Sequence, residues 1–244
     1  MLKVILFMII MLFENLFSIA KISAAADPWP PFIDPENPTG GFALEIIRAA
    51  YYTQGYEVEM NFVPWVRAEE GVKSGKYDIL TTTWYTEKRS HYFKFSKPYY
   101  VNKVKFIKRV EDDFEYSGES SLQGKIIGVI RGYGYNDNFA ESKLYTLDPV
   151  SDFHQNILKL LFKRIDLTLE DELVAKFLLM KNNPDLLNSL SFVSNPINLS
   201  PLHVTSGLSN KKSESYIDAF NKGLEIIEKN GEYDRILKKY ELKK

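Results

Sequence analysis

The chain contains no cysteine in 244 residues. Disulfides, thiol nucleophiles and cysteine metal sites are thereby excluded, as is the lipid-modified cysteine that tethers many exported proteins. Histidine is scarce too. His91, His154 and His203 are scattered without the spacing of a metal-ligand set, so no metal and no other cofactor is expected. Neither sign of charge predominates: Lys and Arg number 31, Asp and Glu 32, and the formal net charge is -1. That balance argues against a nucleic-acid or membrane-surface partner. No internal repeat, low-complexity segment, nucleophile–base pair or phosphate-binding loop stands out. Long apolar runs are missing as well, with one exception at the N-terminus.

The exception is the uninterrupted run Val4 to Phe13, preceded by Lys3 and followed by Glu14 and Asn15. Ser18-Ile19-Ala20 then supplies a small-x-small cleavage pattern. A bilayer span needs about 20 residues, so the run reads as a cleaved signal peptide over residues 1–20. Losing Lys3 and Glu14 together leaves the net charge at -1. The mature chain is expected to be soluble in a periplasm. Its hydrophobic content of 45% suffices for one large domain or two small ones. Fifteen Tyr, 16 Phe and three Trp favour a surface that stacks on its ligand.

Apolar periodicity organises the remainder as an α/β chain. Lys21–Ala26 reads as a strand, followed by the rigid turn Asp27-Pro28-Trp29-Pro30-Pro31-Phe32. Phe42, Ile46, Ala49 and Ala50 recur at helical spacing, Val58–Val63 alternates as a strand, and Pro64 leads a helix to about Lys73. Ile79–Thr81 is a short buried strand ending in Thr82, Thr83, Trp84 and Tyr85, then Thr86-Glu87-Lys88-Arg89. Ligands of open α/β sheets sit beyond the carboxyl ends of the strands. Hydroxyls, aromatics and Arg89 at such a place suit a small carboxylate, which the guanidinium fork grips with two parallel bonds.

Tyr99–Lys108 is a further strand, and Val110–Glu119 an acidic linker. The strand near Ile126–Ile130 runs into Arg131-Gly132-Tyr133-Gly134-Tyr135, where two glycines allow close backbone approach. Leu144–Leu147, Ile165–Leu169, Phe192–Asn195 and Leu202–Leu208 read as strands, and Ser151 as the cap of a helix through Phe162. Glu170-Asp171-Glu172 is expected to open the helix Leu173–Met180. Two helices, marked by Tyr216, Phe220, Leu224 and Ile227 and then by Tyr233, Ile236 and Tyr240, close the chain.

G-K-Y-D before a polar cluster, T-E-K-R at Thr86–Arg89 and F-S-K-P-Y-Y at Phe95–Tyr100 resemble the bacterial extracellular solute-binding protein family 3. These are periplasmic amino-acid-binding proteins of ABC-transporter type. W-P-P-F, the Ser120–Ile130 segment and the closing G-E-Y-D-R-I-L-K-K-Y extend the likeness over nearly all of the chain after residue 20.

The resemblance implies a two-lobed periplasmic-binding-protein fold of type II with the ligand cleft between lobes. It implies one discontinuous lobe of about 21–109 plus 199–244 and a second near 112–196. Arg89 would hold a carboxylate, Trp29 and Trp65 the rest of the ligand, and Asp171 an ammonium. Thr82, Thr83, Trp84 and Tyr85 would border the site. Arg67 fits a W-x-R subgroup and, with Arg131, would favour an acid of more than one negative group. Tyr133 stands where the family usually has a small hydroxyl residue. A monomeric chain is expected to capture an amino acid or small carboxylate for a membrane permease of an ABC transporter. The alternatives are a cyclohexadienyl-dehydratase-like enzyme using Glu170 or Glu172 as the acid, and a sensor lobe docking on a membrane receptor.

Overall fold

Ile22 and Ala24 to Ala26 are buried in β1 (Ala20–Ala26), the strand from which the first half of the molecule is laid out. The computed structural model describes residues 19–135, 137–182 and 184–242. The apolar leader of the predicted signal peptide therefore lies outside the described residues; Ala20 opens β1. From β1 the chain passes through α1 (Phe42–Tyr52), β2 (Tyr56–Phe62), α2 (Trp65–Lys73) and β3 (Ile79–Trp84). A turn of helix, α3 (Glu87–Ser90), a short β4 (Phe93–Phe95) and the ten-residue β5 (Tyr100–Arg109) follow.

The second half holds β6 (Ile126–Ile130), α4 (Asp137–Glu141), β7 (Thr146–Val150), α5 (Phe153–Leu161), β8 (Leu167–Asp171) and α6 (Glu172–Asn182). After β9 (Leu190–Phe192), β10 (Asn198–Gly207) returns to the first half, where α7 (Ser213–Lys229) and α8 (Glu232–Lys239) pack on α1.

Among the described residues the strands form one mixed sheet in the order β2-β1-β3-β10-β5-β8-β6-β7, with β4 on β10 and β9 on β5. β1 pairs in parallel with β2 and β3, and β6 pairs in parallel with β7 and β8. Between these parallel blocks run β5 and β10, antiparallel to each other and long enough to belong to both. This is the two-lobed α/β arrangement expected from the sequence. Because the two parallel blocks meet across β5 and β10, the carboxyl ends of β1, β3, β6 and β8 border one crevice.

Alternation sets the faces. Along β8, Leu167 and Leu169 enter the core, whereas Thr168 and Glu170 point to the opposite side. Around α1, Phe42, Ile46, Ala50 and Tyr51 form the buried face that helical spacing predicts. A separate apolar cluster of Ile157, Leu160, Ile165 and Ala175 fixes α5 and α6 to the second half.

Several boundaries differ from the sequence reading. The second strand of the second half, β7, begins at Thr146, two residues later than expected, and Asp152 rather than Ser151 caps α5 by accepting from the Gln155 N–H. β9 ends at Phe192, where the sequence predicts a strand to begin. β8 continues through Asp171, so Glu170 is a strand residue and not part of a first helical turn.

A cleft closed by aromatics and carboxyls

A cavity of about 780 Å³ opens between the two halves at those strand ends. Asp27 and Trp29 reach it from the loop after β1, and Trp65 from the first turn of α2. Arg131 and Tyr133 reach it from the loop after β6, and Glu170 from β8. A second recess of about 20 Å³ lies behind, bordered by Thr82, Trp84, Arg89 and Gly134, with Asp27, Trp29, Trp65 and Tyr133 separating it from the main space.

Three contacts tie the halves together here. The Tyr133 hydroxyl donates to Asp27 Oδ2 at 3.0 Å. Trp29 Nε1–H donates to Glu170 Oε1 at 3.2 Å. Arg89 Nη2–H donates to the Gly132 carbonyl at 3.0 Å. Gly134 permits the last approach: a Cβ on it would lie 2.4 Å from Arg89 Nη1. The two glycines thus let the loop close on Arg89 and Trp65.

Arg89 is buried, with 5% of its surface exposed. Nε–H donates to Glu69 Oε1 at 3.1 Å and Nη2–H to Glu69 Oε2 at 3.4 Å, while Nη1–H reaches the Trp84 carbonyl at 3.0 Å. With the Gly132 bond, four of the five guanidinium donors are engaged. The guanidinium also lies over the Trp65 ring, 4.8 Å from its centre. Glu69 therefore occupies the fork that the sequence reading reserved for a ligand carboxylate. Its place was legible in principle: Glu69 is four residues beyond Trp65 on α2, and the Trp65 Nε1–H donates to it at 2.9 Å.

Asp171 faces away from the cavity. Its Oδ1 accepts the N–H groups of Leu173 and Val174 at 2.9 and 3.1 Å, capping α6. Its Oδ2 accepts from Asn102 Nδ2 and the Lys103 N–H, both at 3.0 Å. The carboxyl that faces the cavity is its neighbour Glu170, because side chains alternate along a strand.

Desolvation decides the protonation of Glu170 and Asp27. Desolvation raises Glu170 from 4.5 to about 8, with the Asp171 N–H and Trp29 pulling it back and the charges of Asp171 and Asp27 pushing it further. Asp27 is raised by burial from 3.8 to about 6, while the Tyr133 hydroxyl and Arg89 act to lower it. Glu170 Oε2 is buried and has no hydrogen-bond partner among the described residues. Glu172 is turned to Lys105 and Lys176. Although desolvation opposes them, these lysines hold its carboxyl below the ordinary value, which does not suit a proton donor.

Of the residues singled out by sequence, Trp29, Trp65, Arg131 and Tyr133 line the cavity, and Thr82, Trp84 and Arg89 the recess. Thr83 turns the other way, to Thr205 at 2.9 Å. Tyr85 is 52% exposed and its hydroxyl donates to Glu87, and Arg67 is exposed on α2 and borders neither space. Asp27 and Glu69 were not anticipated as site residues. Among the described residues, no group of three or more His, Asp or Glu is placed to hold a metal ion.

The crossed sheet and interlobe cleft define a two-lobed solute receptor. The sequence profile of the bacterial extracellular solute-binding proteins, family 3, matches residues 22–243, and the chain belongs to that family. A probable histidine-binding protein of Campylobacter jejuni is 28% identical over 226 residues, covering 91% of this chain and 84% of that protein. An arginine-binding periplasmic protein of Mannheimia haemolytica is 27% identical over 219 residues, covering 87% of each. Among solved structures, an ancestral arginine-binding protein bound to arginine superposes with a TM-score of 0.75 at 23% identity, covering 90% of this chain and 97% of that one. A histidine kinase sensor domain similar to periplasmic binding proteins gives 0.78 at 20% identity, covering 90% and 95%. These likenesses carry the fold. Among the described residues, no helix is long and apolar enough to cross a membrane.

Proposed function

We propose that this protein captures a small polar solute of the amino-acid class in the periplasm and presents it to the permease of an ABC transporter. The observation that carries this reading is the cavity of about 780 Å³ whose walls come from both halves of the molecule. A site so divided couples ligand binding to closure, since each half supplies part of the binding energy. Lobes of about 21–109 plus 199–244 and 112–196 would move about β5 and β10. The names of the relatives, a probable histidine-binding protein and an arginine-binding periplasmic protein, supply the solute class. Removal of residues 1–20 and a monomeric state belong to the same reading.

In this reading Trp29, Trp65, Arg131, Tyr133, Asp27 and Glu170 touch the solute. Arg89, with Thr82 and Trp84 beside it, supports the closed wall, because Glu69 already fills its fork. The test is a thermal-shift screen against amino acids, small amines and small carboxylates, followed by X-ray scattering on each hit. A hit should reduce the radius of gyration, and chromatography of the incubated solute should return it unchanged. If no member of the three classes raises the melting temperature or compacts the protein, the capture reading is overturned.

A further inference from the structure

An amino acid brings one positive and one negative group, and a site that holds it must answer both. The two residues expected to do so from the sequence are engaged elsewhere: Arg89 is spent on Glu69 at 3.1 Å, and Asp171 caps α6. The cavity nevertheless carries both signs of charge, and it carries them at different depths.

The inner wall is acidic. Glu170 is fully buried, lines the cavity and leaves Oε2 without a partner among the described residues. Half-buried Asp27, held by Tyr133, stands where the main space meets the recess. The groups around Glu170 bring it no cation: Asp171 follows it on the chain, Tyr133 and Tyr135 face it from the loop after β6, and Lys105, opposite it on β5, is turned to Glu172 at 3.1 Å. Carboxyls so desolvated gain from a positive partner.

The mouth carries the available cation. Arg131 is exposed and lines the main space but not the recess. Among the described residues its guanidinium makes one hydrogen bond, from Nη2–H to the Pro149 carbonyl at 3.4 Å, so most of its five donors are open to a solute. The other charged groups of the lining are committed or peripheral. Lys181 is paired with Glu36 at 2.6 Å, Asp34 accepts the Glu36 N–H, Asp152 caps α5, and His154 is exposed. A carboxylate pushed to the inner wall would meet Glu170 and Asp27, groups of its own sign; one left at the mouth meets Arg131.

We propose that the cleft holds its amino acid with the ammonium inward: the α-ammonium lies between Glu170 and Asp27 at the inner wall, and the α-carboxylate is met at the mouth by the fork of Arg131. The proposal deepens the capture reading and rests on it. Glu170 takes the role expected of its neighbour Asp171, because alternation along β8 turns Glu170 and not Asp171 to the cavity. Arg131 takes the role expected of Arg89, because Glu69 fills that fork. The two ends of the amino acid are then gripped mainly by the second half, with Asp27 alone answering from the first. Binding also ionises the inner wall. With Glu170 at about 8 and Asp27 at about 6, the pair holds about one proton at pH 7, which the ammonium displaces.

The deciding experiment is isothermal titration at pH 7 with the proteinogenic amino acid that compacts the protein most in X-ray scattering. Two analogues accompany it: the amine left when its carboxylate is removed, and its N-acetyl derivative. The parent should bind each analogue at least about tenfold more weakly than the amino acid. Arg131→Gln should weaken the amino acid by about tenfold and bring it level with the amine, whose own affinity should change less than about threefold. Glu170→Gln should weaken amino acid and amine alike by about tenfold or more, with Asp27→Asn as the second variant if the first does not fold. Titration of the parent in buffers of different ionisation enthalpy should show release of about one proton, and Glu170→Gln should abolish most of that release.

An Arg131→Gln variant that still prefers the amino acid to the amine overturns the proposal, and so does an N-acetyl derivative bound as tightly as the amino acid. Unchanged affinity in a folded Glu170→Gln, or binding to the parent without proton release, overturns it as well. In each of these cases compaction by the amino acid leaves the capture reading standing. No compaction by any amino acid would remove both.

Discussion

Arg89 Nε lies 3.1 Å from Glu69 Oε1, an ion pair that engages the arginine of the T-E-K-R segment. Glu69 retains 24% side-chain exposure, but Arg89 retains only 7%. Removing one partner of such a pair strands the other.

Glu69→Ala should therefore destabilise the protein by roughly 2–4 kcal/mol, below the range for a fully buried pair because Glu69 is partly solvated. Arg89→Lys keeps the charge and loses the fork, and should cost about 1–3 kcal/mol. Urea denaturation of both variants measures these losses. If Arg89 instead anchors a solute carboxylate, Arg89→Lys will leave folding stability intact and abolish binding of every carboxylate in the screen.

Asp171→Ala removes a helix cap and leaves the buried Asn102 amide without its acceptor. A loss of about 2–3 kcal/mol in stability is expected. Solute affinity, measured by titration at a temperature where the variant is folded, should stay within threefold of the parent. A collapse of affinity in a fully folded variant would return Asp171 to the site.

Glu170 and Asp27 have folded-state pKa values raised above their ordinary ones, to about 8 and about 6. Their contribution to stability is then fully present below about pH 4 and is lost as pH rises through 6 and 8. The solute-free protein should lose on the order of a few kcal/mol between pH 5 and pH 9 from this source. Melting temperatures across that range, with Glu170→Gln alongside, provide the check: the variant's curve should be flatter. A parent protein whose stability is unchanged or rises from pH 5 to pH 9 contradicts the burial argument.

Gly134→Ala places a methyl group where Arg89 Nη1 lies 2.4 Å away. Either the loop after β6 or the guanidinium must shift, at a cost of typically 1–3 kcal/mol. Because the loop belongs to one half and Arg89 to the other, the shift should be felt in closure. X-ray scattering of the solute-free variant should report a larger radius of gyration than the parent. An unchanged value together with unchanged stability would mean that this contact does not hold the halves together.

Local chemistry made much of the fold legible. The buried face of α1 follows from the spacing of Phe42, Ile46 and Ala50, and the alternation from Leu167 to Leu169 marks β8 as a strand. Trp29, Trp65, Arg131 and Tyr133 were legible as cavity residues because each follows a strand end or opens a helix at the crevice. What sequence could not supply was the partner of each polar group. Asp171 and Glu170 are adjacent acids, and only the point at which β8 stops decides which one caps α6 and which one faces the cavity. Arg89 is a carboxylate-binding side chain by its chemistry, but Glu69 lies 20 positions earlier and meets it only because the fold brings α2 and α3 together. Composition and periodicity are local and survive in the unfolded chain. Pairing and desolvation arise only when distant segments exclude water together, so the ownership of each charge was decided by the tertiary structure.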